Sequence, residues 1–198
     1  MSIAGFQQAL SDLIASPQRC LRLRAGDQAG LEGYELSERE RRRLAAVVLQ
    51  PGMSVSCSIY RANRLTPIAG GLPCSCTALG DALPAEIEAF WAAEATDMQF
   101  GREVERFGRF LGERLRSGGL ECRYLDEVLS FELALNRLRH EEGASTVRFA
   151  HDPVPLLEAL TEGRVPGAVA TGSYEVVLEA NAGDIRVWVA SESGTASG

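Results

Sequence analysis

The hydrophobic periodicity of the chain changes once, near Gly143, and this change most constrains the fold. Before it, apolar residues recur every three or four positions, as in an amphipathic helix. After it, they alternate with polar residues, as in a β-strand. The sequence therefore predicts an α+β fold, with an N-terminal helical bundle followed by a small C-terminal antiparallel β-sheet with a crossing helix. We expect a helical domain over residues 1–142, a sheet unit over 143–190 and a disordered tail over 191–198.

Helix boundaries in the first part follow from capping residues, prolines and glycines. Ser37 and Glu40 form a capping box, so one helix should begin at Ser37 and end at Pro51-Gly52. A second, shorter helix should follow and stop at Pro67, before a loop at Gly70-Gly71. The segment between residues 19 and 34 is predicted to be a connector that holds a short helical turn. Other predicted helices cover residues 3–15, 79–93, 98–115 and 125–138.

The second part predicts three short strands, at residues 145–149, 174–178 and 185–189, and a helix from Val154 to Leu160. A sheet of this size leaves edges at which an extended peptide can add a strand through main-chain hydrogen bonds. Trp188 should lie on the opposite face from its apolar neighbours, either contacting a partner or packing on a helix. The candidate peptide-binding residues are Tyr174, Val176, Leu178, Ile185, Val187 and Trp188.

A polar cluster in the predicted second helix is a candidate partner-binding site. It consists of Tyr60, Arg61, Asn63 and Arg64. Arg61 and Arg64 are three positions apart, so that two guanidinium groups can reach the same carboxylates or carbonyls. The alternative is that both arginines make ion pairs that organise the helical core.

Charge and composition narrow the classes of function. The net charge of −7 disfavours general nucleic-acid binding, although the helix with Arg39 to Arg43 leaves a small DNA-binding regulator as an alternative. All 20 basic residues are arginine, which removes lysine-dependent Schiff-base chemistry and the lysine of a phosphate-binding loop. No apolar run is long enough to span a membrane, and no signal peptide is recognisable, so we expect a cytoplasmic protein.

Cysteine and histidine usage argues against a catalytic or metal centre in this chain. The five cysteines are odd in number and lack Cys-x-x-Cys spacing, and they are Cys20, Cys57, Cys74, Cys76 and Cys122. The only histidines, His140 and His151, lack the Glu-x-x-His spacing of di-iron bundles, and we expect ordinary roles at a helix end and a turn. We therefore expect no metal site and no catalytic residues, and an independent thiol enzyme remains the weaker alternative.

Several motifs together resemble a known family. They are L-S-x-x-E from Leu36, P-G-M from Pro51, I-Y-R-A-N-R-L from Ile59, L-P from Leu72, T-x-L-G from Thr77, F-W from Phe90, Phe100 with Glu103, F-E-L-A-L from Phe131, and F-x-H-D-P-x-x-L-L from Phe149. On these residues, which span most of the chain, the sequence resembles the methanobactin biosynthesis protein C family.

The resemblance implies a non-catalytic subunit that forms a heterodimer with a DUF692-type TIM-barrel iron oxidase. Iron would be held by the partner, and this chain would carry no cofactor. In that family the pair acts on a ribosomally made precursor peptide and uses oxygen to convert core cysteines into oxazolone and thioamide groups that bind copper. The subunit described by this sequence would help to bind the leader of that peptide. No role of an individual residue is carried over from the family.

Overall fold

The structure is a computed structural model and describes residues 3–93, 102–181 and 184–190 of the 198-residue chain. The helices are α1 (Ile3–Ala15), α2 (Pro17–Arg24), α3 (Glu38–Val47), α4 (Pro51–Gly71), α5 (Pro73–Leu79), α6 (Leu83–Ala93), α7 (Glu103–Arg116), α8 (Leu125–Leu138) and α9 (Pro153–Thr161). The strands are β1 (Gly143–His151), β2 (Thr171–Asn181) and β3 (Asp184–Ala190). Helices precede a three-stranded antiparallel sheet, and α9 connects β1 to β2, so the predicted α+β fold is confirmed.

The first compact unit, which extends to Leu65, has its own apolar core. Its buried residues come from α1 to α4 and from the 3₁₀ turn Gln28–Leu31, and they are Ala9, Leu13, Cys20, Leu23, Leu31, Leu44, Val48 and Met53. The predicted capping box is present: the Ser37 hydroxyl accepts from the Glu40 N–H, and the Glu40 carboxylate accepts from the Ser37 N–H. The segment predicted to be a connector with a short helical turn contains the 3₁₀ turn and most of α2, and it also supplies three of the core residues.

Two proline-based predictions for α3 and α4 are wrong. Pro51 does not end α3, which stops at Val47, but begins α4, because the first turn of a helix needs no proline N–H. Pro67 lies inside α4, which runs for 21 residues and is longer than α3. Pro67 removes only one backbone hydrogen bond, the one to the Asn63 carbonyl. Because Asn63 is exposed, water can donate to that carbonyl instead. The predicted loop at Gly70-Gly71 is the end of the same helix.

The second compact unit begins at Thr66 and encloses a larger core. Helices α7 and α8 bury Phe107, Leu111, Leu125 and Val128, and the same core includes residues of the sheet. Glycine allows α7 and α8 to approach closely, since a Cβ at Gly108 would lie 2.7 Å from a methyl carbon of Leu133. The predicted boundary at residues 142 and 143 therefore marks a change of secondary structure, whereas one core continues across it and the compact units divide between Leu65 and Thr66.

The sheet has the order β1-β2-β3, with both pairs antiparallel. Val147 pairs with Val176 and Val176 with Val189, so these residues share one face. The register shifts between Phe149 and His151, which places a bulge at the end of β1. Three predicted features fall outside the described residues: the start of the helix predicted from Met98, the centre of the turn between β2 and β3, and the tail after Ala190.

Candidate peptide-binding site

Strand β3 is an open edge of the sheet. It pairs with β2 on one side, and no described strand pairs with it on the other. Strand β1 is the opposite edge, so both outer strands have main-chain groups that are not used by β2. What distinguishes β3 is its side chains, because Val187, Trp188 and Val189 are exposed by 46%, 44% and 39%.

An apolar groove runs between β3 and α9. Its volume is 570 Å³, and its walls include Val154 and Leu157 from α9 and Val187 and Val189 from β3. Val187 and Val189 pair with the buried residues Leu178 and Val176, so they lie on the core face of the sheet and yet remain exposed. The core face thus extends beyond the part that the described helices cover.

Helix α9 is held firmly beside this groove. Asp152 caps it by accepting a hydrogen bond from the Val154 N–H at 3.1 Å, and Pro153 occupies its first turn. Leu156 and Leu160 are buried in the core, whereas Val154 is 52% exposed. The sequence interpretation missed Val154 and Leu157 as site residues. The signal was an apolar Val154 on the side of α9 opposite Leu156 and Leu160.

The structure divides the six candidate peptide-binding residues between two environments. Tyr174, Val176 and Leu178 lie on β2, the central strand, whose main chain is paired on both sides. They cannot pair with an added strand, and Val176 and Leu178 are buried. The prediction that β2 could supply the edge is therefore corrected. Ile185, Val187 and Trp188 lie on β3 and remain available.

The candidate partner-binding cluster on α4 is also divided by burial. Tyr60 and Arg64 are buried, with 7% and 2% exposure, while Arg61 is half-buried and Asn63 is exposed. Burial of Tyr60 and Arg64 favours the interpretation that they organise the protein interior. The large apolar residues exposed on the same helix are Val55, Ile59 and Leu65, and the first two are four positions apart and share one face.

The arginine-rich helix α3 uses part of its charge within the chain. The Arg41 guanidinium donates to the carbonyls of Leu31 and Tyr34, at 3.2 and 3.4 Å, and Arg42 donates to the Glu38 carbonyl. These contacts stabilise the entry into α3. They also reduce the number of guanidinium groups that a phosphate backbone could reach from one face.

Burial favours the protonated form of four of the five thiols. Desolvation raises the pKa of Cys57, Cys74 and Cys122, and it raises the pKa of Cys76 to about 11, with a further contribution from the Glu132 charge. A catalytic thiolate needs the opposite shift. Within the described ranges, no three histidine, cysteine, aspartate or glutamate residues form a group that could hold a metal ion.

Comparisons with known proteins give no relative: no protein-family model, curated protein or solved structure matches the chain. None of the described helices is long and apolar enough to cross a membrane.

Proposed function

We propose that this protein is a non-catalytic accessory subunit that binds the leader of a ribosomally made precursor peptide and presents the peptide to a DUF692-type TIM-barrel iron oxidase in the cytoplasm. The pair converts core cysteines to oxazolone and thioamide groups during the biosynthesis of a copper-chelating methanobactin. Iron belongs to the partner in this proposal. The resemblance of the sequence motifs supplies the partner and the reaction.

The observation that carries the peptide-binding part is the open edge of β3 beside the apolar groove. An extended peptide added to β3 makes main-chain hydrogen bonds along the strand. Its side chains alternate between the two faces, so every second one enters the groove lined by Val154, Leu157 and Val187. Each apolar side chain of valine or leucine size that is fully buried there contributes about 1.5–3 kcal/mol.

Two observations weigh against the alternative functions. Raised pKa values of four of the five thiols oppose a thiolate nucleophile, which disfavours an independent thiol enzyme. The contacts of Arg41 and Arg42 with main-chain carbonyls, together with the net charge of −7, disfavour a DNA-binding regulator.

The partnership is tested by co-expression with a DUF692-type barrel protein, followed by size-exclusion chromatography and iron analysis. We expect a 1:1 complex that carries iron, while this chain alone carries none. Separate elution of two soluble proteins would refute the partnership.

The peptide site is tested with two proline variants of neighbouring residues, Val187→Pro and Trp188→Pro. Along an edge strand, N–H groups point alternately toward the paired strand and out of the sheet, so one of these prolines removes an outward donor and the other an inward one. The outward variant should stay folded and bind the precursor peptide at least about tenfold more weakly, with isothermal titration as the readout. Thr146→Pro or Val147→Pro, at the other edge, provides the matched control. Undiminished binding by both β3 variants, with the fold intact, would exclude β3 as the binding edge.

A further inference from the structure

A second cavity of the unit that begins at Thr66 lies away from the β3 groove, where the N-terminus of α8 meets the bulged end of β1. Its volume is 450 Å³, and its walls include Tyr124, Glu127, Arg148, His151 and Ser173. The bulge changes the register between Phe149 and His151 and sets the direction of the His151 side chain. Bulges of this kind often stand beside binding sites.

Glu127 fixes the protonation pattern of His151. One carboxylate oxygen accepts from the Ala150 N–H at 2.6 Å, and the other lies 2.7 Å from Nδ1 of His151. Because a carboxylate can only accept, Nδ1 carries a proton, and in the neutral ring Nε2 keeps its lone pair. The Glu127–His151 pair thus has the geometry in which a carboxylate orients a histidine to accept a hydrogen at Nε2.

Tyr124 is held against the same imidazole in an unusual backbone conformation. Its φ of 69° makes it the only described non-glycine residue in the left-handed region, which costs about 1–3 kcal/mol for such a residue. The Tyr124 and His151 rings meet edge to face, with centroids 4.7 Å apart. The Arg123 guanidinium covers the Tyr124 ring at 4.8 Å and donates to the Gly167 carbonyl at 2.8 Å. The ring is therefore fixed on two sides.

A purely structural role explains only part of this arrangement. Glu127 satisfies the N–H that the bulge frees, which accounts for that carboxylate. A structural role does not account for the Tyr124 hydroxyl. This hydroxyl has no hydrogen-bond partner among the described residues, and Tyr124 is only 5% exposed. A buried hydroxyl without a partner and a left-handed backbone both oppose stability, and both belong to Tyr124, a residue that lines this cavity.

The charges of the wall select the class of ligand. An anion would be repelled by the Nε2 lone pair and by the carboxylates of Asp126 and Glu127. A cation would be repelled by Arg148 and by the positive end of α8. The nearby Cys122 is not a nucleophile, because its sulfur donates to the Ala78 carbonyl and burial raises its pKa. What fits is a neutral group that donates to Nε2 and can also accept through the same atom.

We propose that the cavity between the α8 N-terminus and the β1 bulge is a second binding site, in which His151 Nε2 accepts a hydrogen bond from a hydroxyl or thiol of the ligand and Tyr124 supplies a further polar group. The site is independent of the β3 edge. It takes an alcohol or a thiol, of a small molecule or of a side chain, and it holds the ligand without a covalent step.

The experiment uses the full chain labelled with ¹⁵N, in which only two imidazoles contribute signals. Long-range ¹H–¹⁵N correlation assigns each ring, with His140→Gln to identify the exposed His140. We expect His151 to be locked in the Nδ1–H form and His140 not to be. In Glu127→Gln the lock should be lost, because a carboxamide can also donate to the ring.

The probes are N-acetylserinamide for the hydroxyl, N-acetylcysteinamide for the thiol, and N-acetylalaninamide as the matched probe without either group. We expect the first or second to shift the Nε2 resonance of His151 saturably, with an affinity that falls at least about tenfold in Glu127→Gln and Tyr124→Phe. An equal response to the alanine probe, a response to acetate or methylammonium alone, or no response to any probe would each overturn the proposal. Unchanged affinity in Tyr124→Phe would reduce Tyr124 to a structural residue and overturn its assigned role.

Discussion

Helix α8 carries two buried glutamates, and the contrast between them separates a structural contact from a site. Glu132 accepts from the N–H groups of Cys74 and Ser75, at 2.7 and 2.9 Å, and thereby caps α5 from a distance in sequence. Glu127 divides its two oxygens between one main-chain N–H, that of Ala150, and the ring of His151. Both carboxylates join α8 to a neighbouring element.

The difference lies in what each contact leaves available. The partners of Glu132 are main-chain donors at the start of α5, and both are buried, so the contact ends there. The partner of Glu127 is the imidazole of His151, a residue that lines a cavity and whose Nε2 is not used by Glu127. A buried carboxylate therefore indicates a binding site only when its partner has a second polar atom that can bind a ligand. The following variants test this distinction.

Glu132→Ala should give the largest loss of stability. It leaves two buried N–H groups without an acceptor, each costing about 1–3 kcal/mol, so we expect the free energy of unfolding to fall by about 3 kcal/mol. Urea unfolding followed by circular dichroism measures the loss. Glu158→Ala, at an exposed position of α9, is the control and should change stability by less than about 0.5 kcal/mol. A loss below about 1 kcal/mol in Glu132→Ala would contradict its capping role.

Glu127→Ala should destabilise the fold less, by about 1–2 kcal/mol. Ala150 is exposed, so water can replace the carboxylate at its N–H, which is not the case at Cys74 and Ser75. The same urea assay measures this, with His151→Ala to separate the ring from the main-chain contact. If Glu127→Ala proved more damaging than Glu132→Ala, the contrast between the two glutamates would be reversed.

The sequence predicts the elements of this fold better than it predicts the site. The bounds of α1 and α8 follow from local periodicity and stop signals, because both helices bury a regular apolar stripe. Pro67 was misread because proline removes only one hydrogen bond, and the rest of α4 compensates. Which strand is central depends on pairing between distant residues, so the sequence could not exclude β2 as an edge.

The sequence could not predict the contacts of the two glutamates, because these contacts also join residues that are distant in sequence. Glu132 meets Cys74 across 58 positions of sequence, and Glu127 meets His151 across 24. Neither spacing is a motif. The sequence predicted an ordinary turn role for His151, because its partner Glu127 lies on a different element. The bulge in β1 brings the two side chains together.

The pH dependence of stability distinguishes Glu132 from a neutral replacement. Desolvation raises its pKa in spite of the hydrogen bonds that lower it, so the folded protein holds this proton more tightly than the unfolded chain. Stability from this group is present at low pH and is lost as the pH rises from its ordinary pKa through the raised one, by at most about 1.4 kcal/mol per pH unit. The free energy of unfolding of Glu132→Gln should lack this slope. Identical pH profiles for the two proteins would contradict the raised pKa.

Tyr124→Phe should stabilise the fold by about 1 kcal/mol while it weakens the site. The variant keeps the ring on His151 and removes a buried hydroxyl that has no partner among the described residues. A gain in urea unfolding combined with lost probe affinity is the signature of a residue kept for binding at the expense of stability. A loss of stability would mean that the hydroxyl is satisfied in solution.

Arg148→Ala should have the smallest effect and sets the baseline for ion pairs near the cavity. Arg148 faces Glu175 across β1 and β2 at 3.4 Å, but its side chain is 86% exposed, and solvent screens such a pair. We expect a change below about 0.5 kcal/mol in urea unfolding, which should vanish at high salt. Because Glu127 and Arg148 line the same cavity, this variant shows whether proximity alone or burial gives Glu127 its larger effect. An equal loss of stability in Arg148→Ala and Glu127→Ala would mean that burial adds nothing to the Glu127 contacts. It would contradict the distinct role assigned to the Glu127–His151 pair.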